Sequence, residues 1–262
     1  MDELELANGA LITARCEQCG GVRRIVREFL QSSYEDDCDC VWQAEQLLEE
    51  AAFPERFRGK TLSDLDWDAL APSNLVAGVR EYADALEAYR DAGIGMALFG
   101  EVGNGKTHIA IGIGKIACAL GHSVAFVTLA DALDDLRATY ERGNSKQGGG
   151  HRDRSDDLLD RLFNADWLIL DDLGIESDTS WAREKVYQIV NRRWLANKPI
   201  IVTTNKSPEE LARRLGEGLI SRLWGDGIVL HFRGEDYRLK AKQQRLATIK
   251  SLSGNGHTVP VG

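Results

Sequence analysis

Apolar residues fall along this chain in two alternating patterns. Short, mainly apolar runs at 95–99, 123–128, 167–170, 199–205 and 228–232, the fourth ending in polar residues, have the length and composition of buried strands. Between them lie longer stretches with apolar positions at helical spacing. One covers 75–92, through Leu75, Val79, Tyr82, Leu86 and Tyr89. A second holds Ile109, Ile111, Ile113 and Ile116, and a third covers 129–140 through Leu129, Leu133, Leu136 and Tyr140. A fourth covers 182–195, with Val186, Ile189, Val190 and Trp194 on one face. Ser207-Pro208-Glu209-Glu210 reads as a helix start, with Ser as N-cap and Pro in the first turn. Residues 41–52 are an Ala/Glu/Leu-rich helix ended by Phe53-Pro54, and 239–252 form a closing helix. Strands alternating with helices predict an α/β fold with a five-stranded parallel sheet covered on both faces.

The interruptions divide the chain into an N-terminal unit at 1–52, an irregular linker at 53–74, a nucleotide domain at 75–250 and a frayed tail at 251–262. Residues 143–150 are rich in Gly and form a surface loop, its basic character carried by Lys146 and extended by Arg152 and Arg154.

The run at 95–99 leads into Gly100-Glu101-Val102-Gly103-Asn104-Gly105-Lys106-Thr107, which satisfies the pattern G-x-x-x-x-G-K-[ST]. Strand, glycine loop and helix together make a phosphate cradle, because glycines let successive N–H groups converge at a helix N-terminus. Gly100, Gly103, Asn104, Gly105, Lys106 and Thr107 are therefore the expected nucleotide-binding residues. Lys106 reaches the β- and γ-phosphates, and the Thr107 hydroxyl binds Mg²⁺. The run at 167–170 ends in Asp171-Asp172. Asp171 is placed to hold Mg²⁺, and Asp172 stands where a general base orients the attacking water. Most ATPases of this type use Glu there, so two readings stay open: slow hydrolysis, or help from Glu176. Asn205, ending the fourth strand, is placed for the γ-phosphate or the lytic water.

Composition adds little to the fold but narrows the chemistry. At 262 residues, 43% hydrophobic and 28% charged, the chain suits a globular core with a small accessory unit. No apolar run approaches the ~20 residues of a membrane span. The acidic start, Met1-Asp2-Glu3-Leu4-Glu5, is unlike a secretory leader, which sets a cytoplasmic expectation. A formal charge of −9 argues against a surface coated for duplex DNA, although Arg233, Arg238, Lys240, Lys242, Arg245 and Lys250 form a local basic stretch. Of five cysteines, Cys16, Cys19, Cys38 and Cys40 cluster near the N-terminus as C-x2-C and C-x-C. Four thiolates would close a tetrahedral structural Zn²⁺ site, supplying folding energy that so small a unit lacks. Cys118 reads as a small buried hydrophobe.

Residues 53–250 resemble the AAA+ ATPases of the DnaC/DnaI helicase-loader and IstB transposition-helper group. The likeness is carried by Phe53-Pro54-Glu55-Arg56-Phe57, by 100–107, 129–140, 170–174 and 181–185, by Thr203-Thr204-Asn205 with 207–210, and by Gly234-Glu235-Asp236-Tyr237-Arg238. By position, Arg222 matches the family's arginine finger, serving the ATP site of a neighbouring subunit, and Arg238 its sensor-2 arginine. The N-terminal zinc unit is similar to that of DnaI and phage-type loaders rather than IstB. The resemblance implies an ATPase that binds ATP/ADP, self-associates through its ATP sites, and loads a DnaB-type hexameric replicative helicase onto single-stranded DNA. An IstB-like transposition helper and a slowly hydrolysing nucleotide-gated adaptor are the alternatives. The departures are the C-x-C pair, the Gly-rich insertion and Asp172 in place of Glu.

Overall fold

Five strands of five residues form the centre of the molecule: β1 (Met96–Gly100), β2 (Val124–Thr128), β3 (Trp167–Asp171), β4 (Ile200–Thr204) and β5 (Ile228–Phe232). Every residue of β3 and β4 is buried, which suits strands rich in Ile, Leu and Val with helices on both faces. All pairings are parallel, in the order β2-β3-β4-β1-β5. The five-stranded parallel sheet expected from the alternating runs is thus the observed one. This computed structural model describes residues 39–67, 73–143, 154–174, 179–225, 227–233, 236–237 and 246. Of the closing helix expected at 239–252 only residue 246 is among them, and of the loop expected at 143–150 only residue 143; the tail lies outside them.

Nine α-helices occur among the described residues: α1 (Asp39–Glu50), α2 (Ser73–Asp84), α3 (Leu86–Asp91), α4 (Lys106–Ala119), α5 (Leu129–Gly143), α6 (Arg154–Asn164), α7 (Ser180–Leu195), α8 (Pro208–Leu215) and α9 (Glu217–Trp224). Two apolar layers result. One sheet face packs α2 and α4 through Val79, Tyr82, Ile109, Ile113 and Ile116. The other packs α5 to α9 through Leu133, Leu162, Val186, Ile189, Leu211 and Leu223. Ser207 caps α8 through its hydroxyl, and Pro208 is its first residue, as the sequence signal required.

The structure departs from the sequence pattern in four places. The helix expected over 75–92 is two helices, because Ala85 leaves helical dihedrals (φ −105°, ψ 24°). The bend lets Tyr89 stack on Tyr82, ring centroids 4.5 Å apart, while the Tyr82 hydroxyl donates to the Ile94 carbonyl. Helices α6 and α9 are additions to the expected set. Residues 53–67, expected to be irregular, contain two 3₁₀ turns, Glu55–Phe57 and Leu62–Asp64. That segment is latched onto α4. Lys115 Nζ donates to the carbonyls of Phe57, Arg58 and Lys60, and His108 Nε2 donates to Thr61 O at 2.7 Å. Helix α1, read as the end of the N-terminal unit, packs on α4 and β2 with Ala44 and Ala51 buried. Cys118 is fully buried beneath α1, its thiol against the Leu47 carbonyl, and burial pushes its pKa up to about 12.

Candidate nucleotide site

The loop between β1 and α4 folds back because glycines occupy left-handed positions. Gly103 (φ 82°) and Gly105 (φ 85°) adopt backbone angles that other residues take only under strain. At Gly103 there is also no room, since a Cβ would lie 1.7 Å from an Asp236 carboxylate oxygen. The fourteen-residue helix α4 starts at Lys106, so the free N–H groups of its first turn and its dipole point into the loop. Lys106 is 5% exposed. Its ammonium donates to Gly100 O at 2.8 Å, to Glu101 O and to Asn104 Oδ1 at 3.0 Å. Asn104 is itself buried and donates through Nδ2 to Phe232 O at 3.1 Å, tying the loop to the end of β5.

The acidic half of the site arrives from β3. Asp171 is the last residue of that strand and almost wholly buried. Its Oδ1 accepts from the Thr107 hydroxyl at 2.8 Å and from the Thr203 hydroxyl at 2.6 Å. Burial pushes the Asp171 carboxyl above the ordinary aspartate range, outweighing those two donors. Asp172 follows with φ 56°, a left-handed conformation unusual for a residue with a side chain, and its N–H donates to Thr203 Oγ1 at 3.0 Å. Thr203 did not stand out in the sequence as a site residue. The signal was two consecutive threonines ending an apolar run, within the Thr203-Thr204-Asn205 stretch that carries the family likeness. Their meaning depends on β4 lying beside β3, with Leu170 opposite Val202.

Parallel register brings the remaining strand end to the loop. Thr204 pairs with Phe99, so Asn205 is level with Gly100, the first residue of the glycine loop. Thr107, Asp171, Asp172 and Asn205 therefore converge beside the start of α4, at the carboxyl ends of three adjacent strands. This is the crevice where open α/β sheets bind ligands. A hydroxyl and a carboxylate 2.8 Å apart are an oxygen donor set that fits Mg²⁺, and the loop's N–H groups fit phosphate.

Of the other expected residues, one lies elsewhere and several fall outside the described residues. Arg222, on α9, is at the opposite end of the sheet, bordering a cavity of about 450 Å³ with Gly95, Trp194, Lys198 and Gly227. The five residues of β1 separate the two ends by roughly 16 Å at ~3.3 Å per residue. Its guanidinium lies 5.3 Å from the ring centres of both Tyr187 and Trp194 and donates to Gly218 O at 3.1 Å. Within one chain Arg222 and Lys106 are not brought together. Arg238 is outside the described residues, although Tyr237 N–H just before it donates to Gly103 O at 3.1 Å. Glu176, Cys16, Cys19, Cys38 and the side chain of Cys40 are also outside them. Among the described residues no three His, Cys, Asp or Glu side chains group as a metal site, and no helix is long and apolar enough to cross a membrane.

The chain is similar in sequence and in fold to known proteins. Residues 37–245 match the family model of the IstB-like ATP binding proteins. The replicative helicase loader DnaC of Escherichia coli K12 is 28% identical over 167 residues, which cover 63% of this chain and 63% of the loader. That match takes in less than two thirds of the relative's own length. The putative ATP-binding protein of insertion sequence IS5376, from Geobacillus stearothermophilus, is 29% identical over 189 residues, 70% of each chain. A crystal structure of the DnaC helicase loader superposes with a TM-score of 0.58 at 25% identity, covering 69% of this chain and all of that one.

Proposed function

Because the chain belongs to the family of IstB-like ATP binding proteins, we propose that it is an ATPase that loads a replicative ring helicase onto single-stranded DNA. The observation that carries this reading is the meeting of Lys106, Thr107, Asp171 and Asp172 at one strand-end crevice, in a chain related to a replicative helicase loader. On this reading, Gly100, Gly103, Asn104, Gly105, Lys106 and Thr107 hold the ATP phosphates. Lys106 exchanges its three loop acceptors for phosphate oxygens, so binding the nucleotide releases Gly100 O, Glu101 O and Asn104 Oδ1. Thr107 and Asp171 hold Mg²⁺, which when bound neutralises charge on the phosphates. Asp172 accepts a proton from the attacking water and Asn205 orients that water; the shorter Asp side chain makes turnover slow.

Arg222 cannot serve Lys106 of its own chain across the sheet. We assign it to the ATP site of a neighbouring copy, where its guanidinium stabilises charge developing on the transferred phosphoryl group. Arg238 follows Tyr237, which is bonded to the loop, and senses the nucleotide in its own chain. Cys16, Cys19, Cys38 and Cys40 hold Zn²⁺ in an N-terminal unit that contacts the helicase. Helix α1, which includes Cys40, then joins that unit directly to the ATPase core.

A pull-down against a replicative ring helicase, with and without ATP, tests the proposal. The expected result is ATP-dependent capture that Cys16→Ser with Cys19→Ser abolishes. Stable binding to duplex DNA without helicase capture would favour a transposition helper instead. The 70% coverage of the insertion-sequence relative is the observation behind that second reading.

A further inference from the structure

The two threonines ending β4 do more than fill the sheet. Four hydrogen bonds tie them to the turn that carries the acidic pair. The Thr203 hydroxyl donates to Asp171 Oδ1 at 2.6 Å and accepts from Asp172 N–H at 3.0 Å. The Thr203 carbonyl accepts from Leu173 N–H at 2.9 Å, and the Thr204 hydroxyl donates to Leu173 O at 2.6 Å. Both threonines are fully buried, so water cannot substitute for either hydroxyl.

Polarity leaves Thr203 one arrangement. An ionised carboxylate only accepts and an amide N–H only donates, so the single hydroxyl proton must go to Asp171 and an oxygen lone pair to Asp172. Asp172 needs that contact because its left-handed backbone is costly for a residue with a Cβ, and such conformations persist where the surroundings over-determine them. Asn205 lies two residues beyond Thr203, beside Gly100.

We propose that Thr203 is a positioning residue of the ATP site: its hydroxyl holds the Asp171 carboxylate and the Asp172 backbone in one register. The inference rests on the ATPase reading above. Thr203 acts through the two acids, fixing the turn from which the carboxylates project. Strand β4 thereby fixes Asp171 and Asp172 as one unit at the end of β3.

The test compares wild type with Thr203→Val, which keeps shape and loses the hydroxyl, Thr203→Ser, which keeps the hydroxyl, and Lys106→Ala. Thr203→Ala is a second route to the same loss should the Val variant fold poorly. Three quantities are read: the exchange rate of the Asp172 amide in nucleotide-free protein, the Mg²⁺ dependence of binding a fluorescent ATP analogue, and kcat with KM. Thr203→Val is expected to exchange the Asp172 amide about tenfold faster or more, to need more Mg²⁺ for half-maximal binding, and to lose about tenfold in kcat with little change in KM. Its affinity for the analogue in EDTA stays at the wild-type level, and Thr203→Ser restores all three quantities. Wild-type exchange and turnover in Thr203→Val, with Lys106→Ala inactive, would overturn the proposal while leaving the ATPase reading intact. A wild-type protein that binds no ATP analogue, like Lys106→Ala, would overturn the ATPase reading and the purpose assigned to Thr203 with it.

Discussion

The two ends of the sheet hold their buried cations in different ways. At the carboxyl end, Lys106 donates to three acceptors of its own loop, and the next residue, Thr107, bonds the buried Asp171 carboxylate. At the amino end, Arg193 is fully buried and spreads its guanidinium over the carbonyls of Leu162, Ala165 and Pro199, each at 2.9 Å, and of Asp166 at 3.1 Å. Those carbonyls belong to three segments, the end of α6, the start of β3 and the approach to β4, so Arg193 works as a staple. Lys106 donates to neutral acceptors of its own loop, which phosphate oxygens can replace. The difference separates a cation kept for a ligand from a cation kept for the fold, although both are buried and hydrogen-bonded. It also explains why burial alone would have ranked Arg193 above Lys106 as a site residue.

Substitutions at the two ends should therefore fail in different ways. The largest effect is expected from Lys106→Ala, which should lower ATP turnover about 100-fold or more while leaving the melting temperature near wild type. Steady-state phosphate release and a thermal melt check both halves. Arg193→Met should do the reverse. It orphans several buried carbonyls and should cost about 4 kcal/mol, lowering the melting temperature by about 10 °C, yet the folded fraction should still bind ATP. Loss of nucleotide affinity in that folded fraction would erase the distinction between the ends.

A smaller effect is expected at Asp171. Its folded-state pKa is raised, so its contribution to stability is present at low pH and lost as pH rises through that pKa. At neutral pH and above the ionised carboxylate strains the nucleotide-free fold. Asp171→Asn keeps an oxygen to accept from Thr107 and Thr203. It should raise the melting temperature at pH 8 by about 2 °C, a gain that fades as the solution is acidified, and should abolish Mg²⁺-dependent nucleotide binding. Smallest of all is Glu55→Ala. The Arg58–Glu55 pair at 3.2 Å is 77% and 81% exposed, and breaking it should move the melting temperature by less than about 1 °C.

What could be read without coordinates follows the same division. The glycine loop, Lys106, Thr107 and the strand before Asp171 were legible because local spacing specifies them. The five strands were legible because each is a short apolar run bounded by turns. Helix α6 was hidden because Leu158, Leu159, Leu162 and Phe163 lie in a highly charged stretch following the Gly-rich loop. The packing of α1 on α4 was hidden because it depends on contacts across more than fifty residues of sequence. Thr203 was hidden for a sharper reason. Its chemistry exists only once β4 is the neighbour of β3 in the register that sets Thr203 beside Asp171, and strand order is a tertiary property. The same order places Arg222 away from the loop, so the role proposed for it needs a second copy.

The central claim is that ATP held at Gly100–Thr107 in one chain is completed by Arg222 from another. The most direct measurement mixes Lys106→Ala with Arg222→Ala, each expected alone to turn over ATP about 100-fold or more slower than wild type, and follows ATP hydrolysis. Shared sites predict recovery of a substantial fraction of wild-type turnover in the mixture, because some interfaces pair an intact loop with an intact Arg222. A mixture as inactive as its components, from variants that still associate, would contradict the account.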